Sequence, residues 1–99
     1  FATEAGRHDR AFVEYATDAF YLHDADGRVV DVNGVACEQL GYSRDELIGL
    51  CPSAFDPDVT PELLCEHLAR LEAGQSLSFE SRHRRKDGTT FPVEVRIRP

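Results

Sequence analysis

The strongest constraint on the fold is a pair of alternating runs that flank a turn near the end of the chain. In residues 77–83, Leu77 and Phe79 share a face with two polar residues. After the turn dipeptide Asp87-Gly88, every second residue is apolar, at Phe91, Val93, Val95 and Ile97. Since side chains of a strand point alternately to its two faces, these runs predict an antiparallel hairpin with one buried face.

The first third of the chain predicts a helix followed by a second hairpin. Within residues 1–18, Phe12 and Ala16 lie four positions apart, as do Ala11 and Tyr15. This spacing predicts a short N-terminal helix with one packed face. Residues 19–24 and 28–32 are rich in strand-forming residues, and the glycine between them can adopt the positive φ that closes a tight loop.

The middle of the chain carries helix signals in quick succession. Asn33 is placed to cap one helix, and Ser43 with Glu46 forms the pattern of a capping box at the next. Thr60-Pro61 begins a longer helix, because proline is favoured at the first helical position. Three or four short helices therefore separate two hairpins. This segregation predicts an α+β fold, an antiparallel sheet with helices on one face.

The predicted core consists of the apolar positions that recur with strand or helix periodicity. They are Phe20 or Tyr21, Leu22, Val30, Val32, Leu40, Leu47, Leu68, Phe79, Phe91, Val93, Val95 and Ile97. Pro92, on the polar side of its strand, lacks a ladder donor and should face an unpaired position or a bulge.

Composition restricts the function. The 99 residues suffice for one domain, and the net charge of −7 disfavours nucleic-acid binding. The one basic run, residues 82–86, is interpreted as a strand end and turn. No apolar run approaches the length of a membrane span, and three cysteines without a C-x-x-C pair favour a reducing cytoplasm. We find no nucleophile motif, phosphate loop or metal-ligand spacing, so no catalytic or metal residues are predicted.

Two separate motifs resemble the PAS domains of bacterial signalling proteins. The first half contains D-A-D-G-R-V-V-D-V-N followed by A-C-E-Q-L-G-Y-S-R-D-E-L-I-G, and the second contains K-D-G-T-T-F-P-V-E-V. The resemblance implies a single sensory domain over residues 1–99, with its core at 19–99, and a five-stranded sheet enclosing a small cavity. In the family the central strand comes last, after the position of Pro99 here. We therefore expect the fifth strand to be missing, and the sheet either to associate through open edges or to bring its two hairpins together directly.

The same resemblance places a ligand pocket between the sheet and residues 50–71. Its candidate lining residues are His67, Leu64, Phe55, Phe79 and Val95. Haem is disfavoured because the family's iron-ligand position falls on Leu64, which cannot bind iron. A covalent flavin is disfavoured because Cys51 stands in C-P-S-A-F-D rather than in the photosensor motif N-C-R-F-L-Q. The cofactor, if any, is not identified by the sequence.

The resemblance implies a non-enzymatic sensory module that binds a small ligand or relays a conformational change. Its expected partners are a second copy of the chain and an output domain of the same polypeptide, such as a histidine kinase or diguanylate cyclase. The alternative is a ligand-free dimerisation and relay module of a cytoplasmic regulator. Neither nucleic acid nor membrane is an expected partner. Glu46 with Lys86 or Arg85 is expected to form a structural ion pair.

Overall fold

A five-stranded antiparallel sheet, in the order β3-β2-β1-β5-β4, forms the frame of the molecule. The computed structural model describes residues 11–15 and 18–99. The strands are β1 (Ala11–Tyr15), β2 (Phe20–His23), β3 (Val29–Val32), β4 (Leu77–Arg84) and β5 (Thr90–Arg98). Between β3 and β4 lie α1 (Gly34–Leu40), α2 (Arg44–Leu47), a 3₁₀-helix (Pro52–Ala54) and α3 (Pro61–Glu72). The predicted α+β class is confirmed.

The expected N-terminal helix is wrong for residues 11–15, which form β1; residues 1–10 and 16–17 lie outside the described residues. Ala11, Val13 and Tyr15 are buried, whereas the two residues between them are half-buried, so the side chains alternate with the period of a strand. The four-residue spacing seen in the sequence fits this segment equally well. The segment forms a strand because it pairs with β2 on one side and β5 on the other. As a strand, it satisfies backbone hydrogen-bonding groups of both neighbours.

The expectation of a missing fifth strand is also wrong, although its place in the sheet was predicted. The centre between β2 and β5 is occupied, but by β1 from the N-terminal side. Val13 pairs with Tyr21 of β2 and with Ile97 of β5. The facing edges of β2 and β5 are therefore paired within the chain, and the two hairpins neither meet directly nor leave those edges open.

The helix ends follow the predicted caps. The Asn33 side chain accepts from the backbone N–H of Ala36, and Ser43 and Glu46 form the reciprocal capping box. At α3, the Thr60 hydroxyl accepts from the N–H of Leu63 at 3.1 Å. These local hydrogen bonds fix where each helix begins, and hence which residues it turns toward the sheet.

The core contains most of the predicted apolar positions. Tyr21, Leu22, Val32, Leu40, Leu47, Val93 and Val95 are buried, while Phe20, Val30, Leu68, Phe79, Phe91 and Ile97 are half-buried. Val29 is buried in place of Val30, because the register between β2 and β3 shifts between Leu22 and His23. The inward face of β5 is the predicted one. Its residues Val95 to Arg98 pair with β1, so Pro92 has no strand partner on its β1 side.

Candidate functional site

A cavity of about 50 Å³ lies between the sheet and α3. Its walls come from four strands, from α3 and from the segment that precedes α3. The lining residues are Ala11, Val13, Tyr15, His23, Gly27, Pro52, Asp56, Val59, Leu64, His67, Leu68, Leu71, Phe79, His83, Val95 and Ile97. The strand that completes the sheet, β1, thus also supplies part of the cavity wall.

The structure brings four of the five predicted site residues to this cavity. Leu64 and His67 line it from α3, and Phe79 and Val95 line it from the sheet. Phe55 does not line it: this ring is fully buried and stacks on Tyr21, with 5.5 Å between ring centroids. Whether the four cavity residues bind a ligand stays a prediction.

His67 packs against the sheet from the buried side of α3. Its imidazole lies 4.7 Å from the ring of Phe79, centroid to centroid, and the side chain is buried. Burial lowers the pKa of His67 below its usual value, because the charged form would lose its hydration. A neutral, ring-packed histidine is thus part of the cavity wall.

His83, on β4, is the most buried of the histidine and aspartate side chains at the site, and no sequence motif singles it out. The rings of Tyr15, Phe55, Phe91 and Tyr21 surround it edge-on, at centroid distances of 4.7, 5.2, 5.9 and 6.5 Å. Burial lowers the pKa of His83 to about 4, so the imidazole is neutral at physiological pH. Its alternation with Leu77 and Phe79 was visible as a strand pattern, but not its role in the cavity.

Asp56 is the buried carboxylate of the site and was also missed. It follows the 3₁₀-helix, where its backbone N–H donates to the Pro52 carbonyl at 2.8 Å. Its Oδ1 accepts from the N–H of Asp58 at 3.0 Å, and its Oδ2 accepts from the Ser81 hydroxyl at 2.6 Å. The sequence predicts the turn bond of an aspartate here, whereas the bond to Ser81 depends on the tertiary fold.

Asp56 and His83 face each other without a hydrogen bond. The distance from His83 Nε2 to Asp56 Oδ2 is 3.7 Å, and both side chains are almost fully buried. Burial raises the pKa of Asp56, although its bonds to Ser81 and Asp58 act in the opposite direction. Burial also raises the pKa of the Tyr15 phenol, with smaller contributions from Tyr21 and Asp56. At this polar end of the cavity, a further charged group would be unfavourable, and so would the loss of a hydrogen bond to Asp56.

The third lining histidine, His23, is the last residue of β2. Its Nδ1 donates to the Gly27 carbonyl at 2.7 Å, which fixes the position of the proton on the ring. Burial lowers the pKa of His23, against the opposing effect of that hydrogen bond. Across residues 11–15 and 18–99, no three His, Cys, Asp or Glu side chains are grouped so that they could hold a metal ion.

The basic run at the end of β4 is tied to acidic partners on the surface. Arg82 makes a two-pronged contact with Asp58, with N–O distances of 2.8 and 3.0 Å. Lys86 lies 2.6 Å from Glu46, which confirms the predicted ion pair between α2 and the β4–β5 turn. These are structural contacts at the surface and lie away from the cavity.

Comparisons with known proteins agree with this architecture. A family model described as a PAS domain matches residues 17–99. The chain belongs to the PAS domain family.

Two curated relatives of this PAS domain are sensors by name. It is 36% identical over 91 residues to the C4-dicarboxylate transport sensor protein DctS of Rhodobacter capsulatus, a match that covers 87% of this chain and 14% of that protein. It is 29% identical over 96 residues to a methyl sulfide methyltransferase-associated sensor of Methanosarcina acetivorans, covering 96% of this chain and 10% of that protein. This PAS domain accordingly has a sensory role, and it spans a small part of the length of these relatives.

Solved structures share its fold. The PAS domain of an HTR-like protein from Haloarcula marismortui superposes with a TM-score of 0.68 at 24% identity, covering 88% of this chain and 76% of that one. A domain of the sensory box sensor histidine kinase/response regulator from Geobacter sulfurreducens gives a TM-score of 0.67 at 23% identity, covering 95% of this chain and 85% of that one. PAS domains are generally non-catalytic sensory modules. Among the described residues, no helix is both long and apolar enough to span a bilayer.

Proposed function

We propose that this PAS domain senses a small molecule in the cavity and passes the resulting conformational bias to an output domain of the same polypeptide. The observation that carries the proposal is the cavity itself, whose walls join α3 to both halves of the sheet. A ligand there contacts β1, β2, β4, β5 and α3 at once. It can therefore favour one arrangement of the sheet over another through differential affinity, as any ligand-driven switch requires.

The wider setting belongs to the same proposal. The output domain is a histidine kinase or a diguanylate cyclase, the domain works as a homodimer in the cytoplasm, and it is not an enzyme by itself. The DctS match supports a kinase-type sensor as parent. The pairing of Arg82 and Lys86 with carboxylates supports the absence of nucleic acid among its partners. This segment makes no membrane contact in the proposal.

The cavity holds neither haem nor covalently bound flavin in this proposal. Its volume of about 50 Å³ is well below the roughly 300 Å³ at which pockets for drug-sized ligands begin. Cys51 is absent from the lining residues. The visible spectrum and native mass of the purified protein test this point: a colourless chain of unmodified mass is expected, and a Soret or flavin band would overturn it.

The small cavity also favours a second candidate, a ligand-free dimerisation and relay module. Two neighbouring leucines of α3 separate the alternatives. Leu63 and Leu64 are both half-buried, but only Leu64 lines the cavity. If the cavity senses a ligand, Leu64→Phe in the full-length parent removes the response of the output domain to its signal, whereas Leu63→Phe leaves it. Equal responses in the two variants and the parent would favour the relay.

A further inference from the structure

The charge of the cavity lining restricts which molecules can enter. Among the described residues, neither lysine nor arginine lines it, and Asp56 is its one carboxylate. The three lining histidines are neutral at physiological pH, since burial lowers the pKa of each. A carboxylate or phosphate would lose its hydration without gaining a cationic partner and would lie near Asp56. The lining therefore selects against anions.

Asp56 offers an unused acceptor at the polar end of the cavity. A carboxylate accepts about four hydrogen bonds, and the Asp56 oxygens receive one each from Ser81 and from the backbone of Asp58, with the backbone N–H of Val59 as a third donor to the carboxylate. His83 Nε2, at 3.7 Å, is too far to use the remaining capacity. A ligand with an N–H or O–H group would supply the missing donor. Because the acceptor is buried, such a bond discriminates strongly between ligands that have the donor and those that lack it.

The remaining walls and the volume define the rest of the ligand. The lining also contains aliphatic side chains of α3 and β5, among them Leu68, Leu71 and Ile97. A volume of about 50 Å³ accommodates roughly three to five water-sized units, at about 10–15 Å³ for each. Four of the lining side chains are rings, in two close pairs, His67 with Phe79 and Tyr15 with His83. These features suit a small ring with one polar edge.

We propose that the cavity binds a compact, uncharged nitrogen heterocycle of about five ring atoms, whose N–H donates to the Asp56 carboxylate while its carbon edge packs on the α3 leucines. This inference rests on the proposed function, in which the cavity is the ligand site. It also separates the chain from the relative named for C4-dicarboxylates: such dianions are not ligands of this cavity.

The test follows methyl resonances of Val95 and Ile97 in the intact chain while three probes are added at pH 7.5. Pyrazole is neutral and has the N–H, 1-methylpyrazole lacks it, and succinate is a C4 dianion. We expect saturable shifts with pyrazole, at least about tenfold weaker binding of 1-methylpyrazole, and no shift with succinate. Shifts from pyrazole that do not saturate, or equal binding of the methylated probe, would contradict the inference.

Matched variants test whether Asp56 accepts the hydrogen bond from the N–H of pyrazole. Asp56→Asn keeps the size of the side chain but loses its charge, and should weaken pyrazole binding by about tenfold. Asp58→Asn, two residues away and paired with Arg82 on the surface, should leave it unchanged. If Asp56→Asn fails to fold, Ser81→Ala serves instead: it frees Asp56 Oδ2 and should retain or strengthen binding. Loss of pyrazole binding in Ser81→Ala would count against Asp56 as the acceptor.

The outcomes distinguish this inference from the function on which it rests. Saturable methyl shifts with succinate would overturn the ligand class yet leave the cavity as a ligand site. A full-length parent whose output responds equally in the Leu64→Phe and Leu63→Phe variants would overturn the proposed function, whatever pyrazole does in the isolated domain.

Discussion

At the scale of single residues, the cavity concentrates histidines that burial keeps neutral. His83 is 2% exposed and enclosed by aromatic rings, so its protonated form has neither water nor a bonded partner. The carboxylate of Asp56 is 3.7 Å away and already accepts hydrogen bonds from the Ser81 hydroxyl and the backbone N–H of Asp58. The balance between burial and attraction is therefore decided by burial, and this has a measurable consequence for stability.

We predict that the free energy of unfolding falls as the pH is lowered from about 7 to about 4. The pKa of His83 is about 4 in the folded chain, against 6.5 for an unperturbed histidine, so the unfolded chain binds the proton first in this range. Stability from the neutral imidazole is present above pH 6.5 and lost as the pH falls toward 4. The loss is on the order of 3 kcal/mol.

His83→Phe should flatten this dependence when urea unfolding is measured at a series of pH values. A residual slope remains, since burial also lowers the pKa of His23 and His67. The raised pKa of Asp56 acts in the opposite direction and favours folding at low pH. A variant as pH-dependent as the parent would show that His83 is hydrated or paired in the folded chain.

Gly27 is a second residue on which the cavity depends. It has a φ of +84°, and an added Cβ would lie 3.3 Å from Leu64 Cδ1. Gly88 has a similar φ of +92° with nothing within 4 Å of its virtual Cβ. Gly88→Ala should cost about 1–2 kcal/mol in backbone strain, and Gly27→Ala about 1 kcal/mol more from contact with α3. Thermal or urea unfolding measures the loss of stability in each variant. Equal losses would mean that Leu64 of α3 moves away from the added methyl group at no cost in free energy.

At the scale of elements, local sequence patterns correctly predicted those features that depend only on residues close together in the chain. Asn33, Ser43 with Glu46, and Thr60 each cap a helix in the structure as the sequence predicts. The alternation of β4 and β5 likewise predicted their inward faces. Such features need only neighbours along the chain, which is why they could be predicted from the sequence.

β1 and Asp56 could not be predicted, for a shared physical reason. The apolar positions of residues 11–15 fit both a helix and a strand. The choice is made by pairing with β2 and with β5, whose paired residues lie at least 80 positions further along the chain. Asp56 appears as an ordinary turn residue until β4 brings Ser81 to it. In both cases a partner that determines the structure, β5 or Ser81, is distant in sequence, so no local pattern can predict the contact.

A pair of proline substitutions tests the central position of β1. Glu14 pairs with Phe20 on one side and Arg96 on the other, so Glu14→Pro removes a ladder bond inside the sheet. Ser78 lies on the edge strand β4, in the same alternation as Arg84, whose N–H points away from β5 to the Phe55 carbonyl. Ser78→Pro therefore removes no ladder bond.

We expect Glu14→Pro to lower the free energy of unfolding by more than about 2 kcal/mol, and Ser78→Pro by much less. Chemical unfolding of the two variants beside the parent gives the comparison. Similar stability of the two variants would mean that β1 is dispensable for the sheet.

At the scale of the whole molecule, β1 is the only strand of the described sheet that touches both hairpins. The β2–β3 pair lies on one side of it and the β4–β5 pair on the other. β1 also lines the cavity through Ala11, Val13 and Tyr15. Part of the cavity wall and the connection between the hairpins thus depend on the same five residues.

Without β1, the chain should lose its cooperative fold. Burial of Val13 and Tyr15 contributes about 2 kcal/mol each, and small domains have only about 5–15 kcal/mol in total. A chain of residues 19–99 should therefore lose its cooperative thermal transition, followed by near-ultraviolet circular dichroism. The unpaired edges of β2 and β5 remain able to accept a strand, so a peptide of residues 11–18 added in trans should restore the transition. The same peptide with Glu14→Pro is the matched control and should not restore it. If residues 19–99 melt as cooperatively as the intact chain, or if both peptides rescue equally, β1 does not hold the two hairpins together.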